Sequence, residues 1–300
     1  MPVLLPVVPG RRGRTPGEGV AVVVITRNRR EELLRTLARL CALPDAAEVV
    51  VVDNASDDGT AAAVGTSFPA VRLVALPRNT GAVGRTIGVR ATSSPLVAFA
   101  DDDSWWEPGA LAAAGRLFAE HADLALVHAR IVLEPGGATD PACRKMAARP
   151  RDRGAPGPAV LGHLACGVVV RRSAYLAAGG YSPLLEFGGE EQLLSLDFAA
   201  AGWQQWYVDA LVAHHAPSPH REGWPARWAR YRRNDTLTAW LRLPLREALG
   251  QTARLLGDAA REPTARRELV RFCGLLPGVL RERRPVPRGL ASRFAEVSRP

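Results

Sequence analysis

Val20-Ala21-Val22-Val23-Val24-Ile25-Thr26, followed after one helix-sized interval by Glu48-Val49-Val50-Val51-Val52-Asp53, decides the fold of this chain. Each run is short and rich in β-branched residues, and each stops on a polar residue. A strand with one wet face alternates apolar and polar side chains. These two do not alternate, so each reads as a strand buried on both faces, as in a parallel sheet covered by helices on either side. The interval between them reads as a helix. Asn28 with Glu31 has the spacing of a capping box, and Leu33, Leu34, Leu37, Leu40 and Cys41 follow at helical spacing.

Outward from that unit the rhythm repeats. Ser56, Asp57 and Asp58 start a helix through 61–64; 71–76 is a strand, 82–91 a helix, and 96–100 a strand that ends in Asp101-Asp102-Asp103. This alternation implies right-handed crossovers and an α/β fold with a mostly parallel sheet flanked by helices. In such sheets ligands bind beyond the carboxyl ends of the strands, where Thr26, Asn28, Asp53 and the three aspartates fall. Further on the rhythm loosens. A helix over 107–121 and an extended segment over 124–133 precede a Pro/Gly/Arg-rich stretch, 134–160, expected to be a mobile loop. A strand at 167–170, a short helix at 173–178, a helix at 190–201 and a strand at 206–212 leading into His214-His215 complete this part. Residues 225–300 read as mainly helical, interrupted at Pro244, Pro263, Pro277 and Pro285.

The 300 residues are 47% hydrophobic and 23% charged, an ordinary globular balance. Lys145 is the lone lysine, a bias that reads as codon usage. The net charge of +9 favours anionic partners (nucleotide phosphates, acidic lipid, nucleic acid) without choosing among them. Arg281, Arg283, Arg284 and Arg288 place much of that charge near the end, on a solvated helical surface or a membrane-facing patch. Cys41, Cys143, Cys166 and Cys273 show neither metal-binding nor disulfide spacing, which suggests a reducing compartment. The apolar run at 1–9 holds three prolines and precedes its arginines, the reverse of a signal peptide, and no segment is apolar enough to span a bilayer. The expected location is cytoplasmic, with possible peripheral contact at the inner face of the membrane.

Several pieces together resemble family 2 glycosyltransferases of the GT-A fold. They are Val22-Val23-Val24-Ile25-Thr26-Arg27-Asn28-Arg29, the run from Val49 through Asp53-Asn54-Ala55-Ser56-Asp57-Asp58-Gly59-Thr60, Arg78-Asn79-Thr80-Gly81 with Gly84-Arg85, Phe99-Ala100-Asp101-Asp102-Asp103, and Gly188-Gly189-Glu190-Glu191. The likeness covers roughly residues 20–220; its strength is the ordered set, since any single piece is weak. Residues 1–18 read as a flexible leader, and the likeness implies a GT-A domain at 19–224, with a nucleotide-binding half (19–103) and an acceptor and catalytic half (104–224). A helical C-terminal extension occupies 225–300.

Carboxylates at positions one and three of a turn can reach a hard metal together, leaving open positions for water and phosphate oxygens. The plainer reading of the aspartate triplet is a solvated acidic turn. By resemblance, Asp103 holds Mn²⁺ or Mg²⁺, Asp101 contacts the ribose or shares the metal, and Asp102 belongs to the nucleotide site. Asp53 would read the nucleoside, with Thr26 and Asn28 in the same pocket; otherwise it is a turn residue. Arg85 would lie near the nucleotide, with Asn79 and Gly81 shaping the turn, and competes with a surface arginine. Glu190 and Glu191 open a helix, where the dipole alone would favour acids. The family's Glu-Asp is replaced here by Glu-Glu, and Glu191 takes the place of the base that deprotonates the acceptor, with Glu190 next and Gln192 near the acceptor. His214 would ligate the cation or hydrogen-bond the leaving diphosphate, and Trp105 or Trp106 would stack on a sugar.

The implied activity is metal-dependent, inverting transfer of a sugar from a UDP-, dTDP- or GDP-linked donor to a hydroxyl on a glycan, a lipid-linked acceptor or a natural product. A catalytically inactive nucleotide-sugar-binding or scaffold protein of the same fold is the alternative. A sugar-1-phosphate nucleotidyltransferase would want a glycine-rich loop after the first strand, where Thr26-Arg27-Asn28-Arg29 stands. A dinucleotide oxidoreductase would want GxGxxG after a strand, and no recognised nucleic-acid motif accompanies the basic charge.

Overall fold

A computed structural model of the chain describes residues 19–218 and 223–297; the expected leader at 1–18 lies outside them. The first half alternates as its sequence requires: β1 (Val20–Thr26), α1 (Arg30–Ala42), β2 (Ala46–Asp53), α2 (Thr60–Ser67), β3 (Arg72–Ala75), α3 (Val83–Ala91) and β4 (Leu96–Asp101). Then come β5 (Ser104–Trp106), α4 (Ala110–Glu120), β6 (Leu124–Leu133), β7 (Ala138–Thr139), α5 (Pro141–Ala147), β8 (Val168–Arg171), α6 (Arg172–Ala177), α7 (Glu190–Ala200) and β9 (Gln204–His215). Four helices follow: α8 (Trp224–Arg242), α9 (Leu245–Arg261), α10 (Pro263–Arg281) and α11 (Arg288–Val297).

The strands form one sheet in the order β3-β2-β1-β4-β8-β6-β9-β5, with β7 paired to β6. It is parallel from β3 through β4 and turns antiparallel where β8 meets β4. Beyond that point β6 and β9 run parallel while β5 returns antiparallel on β9. Every side chain of β1 is buried. Val20, Val22 and Val24 join one core layer with Leu33, Leu37 and Leu40 of α1, whereas Val23 and Ile25 join another with Val50, Val52 and Val89. Two buried faces are what the unbroken valine runs demand.

Local signals misjudge several boundaries. Asn28 does not cap α1: Arg29 occupies that position without a side-chain cap, and Asn28, at φ 53°, accepts the Asp57 N–H at 2.9 Å instead. The second helix starts at Thr60, whose N–H is taken by Asp58 at 3.1 Å. The segment read as a mobile loop contains β7 and α5, the latter capped by Asp140 and anchored by buried Cys143. Pro277 does not interrupt α10. It forgoes one hydrogen bond, to the residue 273 carbonyl, on the exposed side of the helix.

Candidate active site

A cavity of about 600 Å³ opens beyond the carboxyl ends of β1, β2 and β4. The aspartate triplet forms its floor, and each backbone there is tied to a different element. Asp101 N–H donates to Ser104 Oγ at 2.7 Å, Thr36 of α1 donates to the Asp102 carbonyl at 2.8 Å, and Ala216 N–H reaches the Asp103 carbonyl at 2.9 Å. The three carboxylates therefore diverge. Asp101 pairs with Arg85, a fully buried guanidinium whose Nε and Nη1 have no hydrogen-bond partner. Asp102 turns inward to Thr26 Oγ1 at 3.0 Å and Arg29 Nη1 at 2.7 Å. Burial pushes its pKa up to about 7 against the pull of Arg29. Asp103 receives Arg29 at 3.1 Å, Ser218 N–H at 3.2 Å and His215 Nε2 at 3.3 Å. Burial raises its pKa, but His215 and these donors hold it below the usual carboxylate range.

Glu191 lines the same cavity. Its Oε2 accepts the Gly189 N–H at 3.2 Å, and burial raises its pKa. Glu190 is 1% exposed and turns into the protein, with Oε2 lacking a partner; burial, then the charge of Glu191, raises its pKa well above normal. The loop that delivers this pair, residues 185–189, is clamped from two sides. On one side, Ala82 N–H donates to the Glu186 carbonyl at 2.7 Å, and a Cβ on Gly81 (φ 60°) would stand 2.3 Å from that oxygen. On the other, Asn234 of α8 donates its amide to the carbonyls of Leu185 at 2.8 Å, Phe187 at 3.2 Å and Gly188.

Of the residues singled out in the sequence, Thr26, Asn79, Gly81, Arg85, Asp101, Asp102, Asp103 and Glu191 meet at the cavity. Asn28 and Asp53 do not line it. Asp53 is buried and accepts from Ser56, and its neighbour Asn54 faces the space instead. Trp105 and His214 are also turned away. Register pairs Trp105 with His214 and Ser104 with His215, so the two sets lie on opposite faces. The Trp105 and His214 rings stack at 5.3 Å, with Arg39 over the tryptophan, and His214 bridges Glu134 and Glu107 at 3.0 and 2.6 Å. The histidine at the aspartates is His215. It shares its face of β9 with buried Leu211 and Ala213. Arg29, and Arg227, Arg230 and Tyr231 of α8, also reach the cavity; nothing local in the sequence marks them.

Among the described residues no three His, Cys, Asp or Glu side chains converge as a metal cage. Mg²⁺ and Mn²⁺ do not require one, since they commonly take one or two carboxylates and complete their shells with water and phosphate oxygens. Asp103, with the His215 imidazole at 3.3 Å, offers one carboxylate and one ring nitrogen at the cavity, a pair that fits such a cation alongside a diphosphate, while Asp101 is turned to Arg85.

Comparison with known proteins bears on the family and the fold. Residues 21–176 match the model of glycosyl transferase family 2. Over 96 residues the chain is 31% identical to the succinoglycan biosynthesis protein ExoU of Rhizobium meliloti (strain 1021). That stretch is 31% of this chain and 28% of the relative, so the match spans under a third of the relative's length. The fold is similar to S. aureus TarS 1–349 in complex with UDP-GlcNAc (TM-score 0.58, 18% identity, 93% of this chain and 84% of that one). It is also similar to the mannosyltransferase PcManGT from Pyrobaculum calidifontis in complex with GDP-Man and Mn²⁺ (TM-score 0.54, 18% identity, 96% and 90%). With the family model covering more than half its length, this chain belongs to glycosyl transferase family 2 and has a GT-A-like fold.

Proposed function

We propose that the chain transfers a sugar from a nucleotide-diphosphate sugar to an acceptor hydroxyl, with inversion and with the help of a divalent cation. The observation that carries this reading is the meeting of the aspartate triplet, two arginines (Arg29 and Arg85) and Glu191 in one cavity at the strand ends. The complexes of TarS with UDP-GlcNAc and of PcManGT with GDP-Man and Mn²⁺ support a donor of this class. Asp103, with His215 beside it, would hold the cation, which when bound offsets the charge gathering on the departing diphosphate. Arg85 and Arg29 fix the carboxylates in place. The acceptor oxygen attacks the anomeric carbon as the bond to the diphosphate breaks. Glu191 takes the hydroxyl proton, and the bonding pair leaves with the nucleotide.

The test is the melting temperature with UDP, dTDP or GDP, each with Mn²⁺ and then with chelator. At least one nucleotude should raise it only when metal is present, and Asp103→Asn and His215→Ala should each reduce the rise while His214→Ala preserves it. No metal-dependent rise with any nucleotide, or a loss confined to His214→Ala, overturns the site.

A further inference from the structure

Two asymmetries coincide in the last quarter of the molecule. The first is charge: residues 225–300 hold seventeen arginines and seven carboxylates, while the rest of the chain is within one charge of neutral. The second is apolar exposure. Among the described residues, the large hydrophobic side chains left exposed are Phe187 at the cavity and seven others, all on α8, α9 and α10: Trp224, Trp228, Leu245, Leu249, Leu256, Val270 and Leu280. A solvated helical surface explains the arginines but not the leucines.

Their placement is ordered. Leu245, Leu249 and Leu256 fall within about 40° of one another at 3.6 residues per turn, a single stripe along α9. They are 56, 58 and 51% exposed, while Ala248, Leu255 and Ala259 of the same helix are buried against its neighbours. On α10, Val270 (72% exposed), Cys273, Pro277 and Leu280 share an arc of about 100° with exposed Arg266 and Arg281. Trp224 and Trp228 stack at the start of α8 with Arg232 over the second ring. Exposed leucines and tryptophans among arginines are the composition of a surface that lies in the boundary of an anionic bilayer, with apolar groups entering the acyl edge and guanidinium groups at the headgroups. None of the described helices is long and apolar enough to cross a membrane.

We propose that the α9–α10 hairpin docks the protein peripherally on anionic lipid, with the Leu245, Leu249 and Leu256 stripe inserted and the flanking arginines on the headgroups. The observations do not involve the cavity, so the inference stands apart from the proposed transfer reaction.

The experiment is sedimentation of the full chain with phosphatidylcholine vesicles, with and without phosphatidylglycerol. Binding should require phosphatidylglycerol and fall away as salt rises towards about 0.5 M, where charges are screened within a few ångströms. L249E/L256E should weaken binding at least tenfold, and R246E/R267E/R281E should abolish it. All five positions are exposed, so both variants should melt within a few degrees of the parent. Equal binding by L249E/L256E, equal binding to neutral vesicles, or no binding by the parent overturns the proposal. A concentration-dependent dimer that L249E/L256E dissolves, without vesicle binding, assigns the stripe to a second copy of the chain.

Discussion

Glu190 and Glu191 are adjacent in sequence and opposite in surroundings. One is sealed in the protein; the other borders the cavity with its carboxylate oriented by the Gly189 N–H. A carboxylate whose pKa is raised is a stronger base once ionised, and Glu191 alone of the two can meet an acceptor. Glu191→Gln should therefore lower turnover by roughly 10² to 10⁴ while donor affinity stays within a few-fold. Glu190→Gln removes a carboxyl whose ionisation burial already disfavours, and should leave turnover within about tenfold and stability equal or higher. Steady-state kinetics at saturating donor and metal, with a melting curve for each variant, checks both; a dead Glu190→Gln beside an active Glu191→Gln would reverse the assignment. At this scale the sequence was legible in residue type more than in direction. The triplet and the acid pair stand out as acids at a strand end and a helix start. That Asp102 faces inward and His215 replaces His214 depends on register against β5 and α1, which no neighbouring residue encodes. The same geometry removes the plainer reading of the triplet as a solvated acidic turn, since Asp103 is buried and receives three separate donors.

Among the elements, α8 does more than extend the fold. The loop before α7 has left-handed backbone at Glu186, Gly188 and Gly189, so its carbonyls find no regular ladder and converge on the Asn234 amide. A Cβ on Gly188 would stand 2.2 Å from the Tyr231 ring, so helix and loop are in close contact. Arg233, fully buried, backs the clamp through Glu268 at 2.9 Å and Glu186 at 3.5 Å. Asn234→Ala takes its donor from the Phe187 and Gly188 carbonyls, while the Leu185 carbonyl keeps the Phe187 N–H at 2.7 Å, a loss of about 1–3 kcal/mol of stability. If the clamp positions Glu191, kcat should fall at least tenfold well below the melting temperature, with the donor KM nearly unchanged. A variant that melts earlier yet keeps its kcat would show the clamp to be only structural. Element legibility follows sequence distance. β1 and β2 were readable because their valine-rich runs, and β4 because its unbroken apolar run before the aspartates, carry the signal locally. β5 was missed because three residues, Ser104-Trp105-Trp106, become a strand only by pairing with β9 more than a hundred residues away. Likewise α5 hides in a Pro- and Gly-rich stretch and is held by burial of Cys143.

Across the whole molecule, the sheet is one continuous structure, and two imidazoles are buried where water does not reach, His128 within it and His163 in the segment before β8. His128 of β6 has both nitrogens engaged, Nδ1 donating to the Ala129 carbonyl at 2.7 Å and Nε2 accepting the Leu164 N–H at 3.0 Å. That arrangement requires the neutral ring, and burial drives its pKa down to about 4. His163, also buried with a lowered pKa, bridges Ser195 Oγ and Tyr181 OH at 3.0 Å each. Together they hold the cavity wall at Leu164, Ala165 and Cys166. In the unfolded chain a histidine titrates near 6.5, so above that pH both states are neutral and the full stability is present. As pH falls from about 6.5 towards 4, the unfolded state takes up a proton that folded His128 refuses, and stability drops by about 1.4 kcal/mol per unit. Asp102, with its pKa raised to about 7, and the raised carboxyls of Glu190 and Glu191 act with the opposite sign, and His163 with the same sign, so the parent's slope is a net of several groups. The difference between variants isolates the histidine. His128→Gln keeps an acceptor for Leu164 and cannot be protonated; it should be less stable at pH 7, yet lose about 2 kcal/mol less than the parent between pH 6.5 and pH 5. Urea unfolding of both proteins at the two pH values measures that difference, and parallel losses would mean that His128 is protonated in the folded state or exposed to solvent.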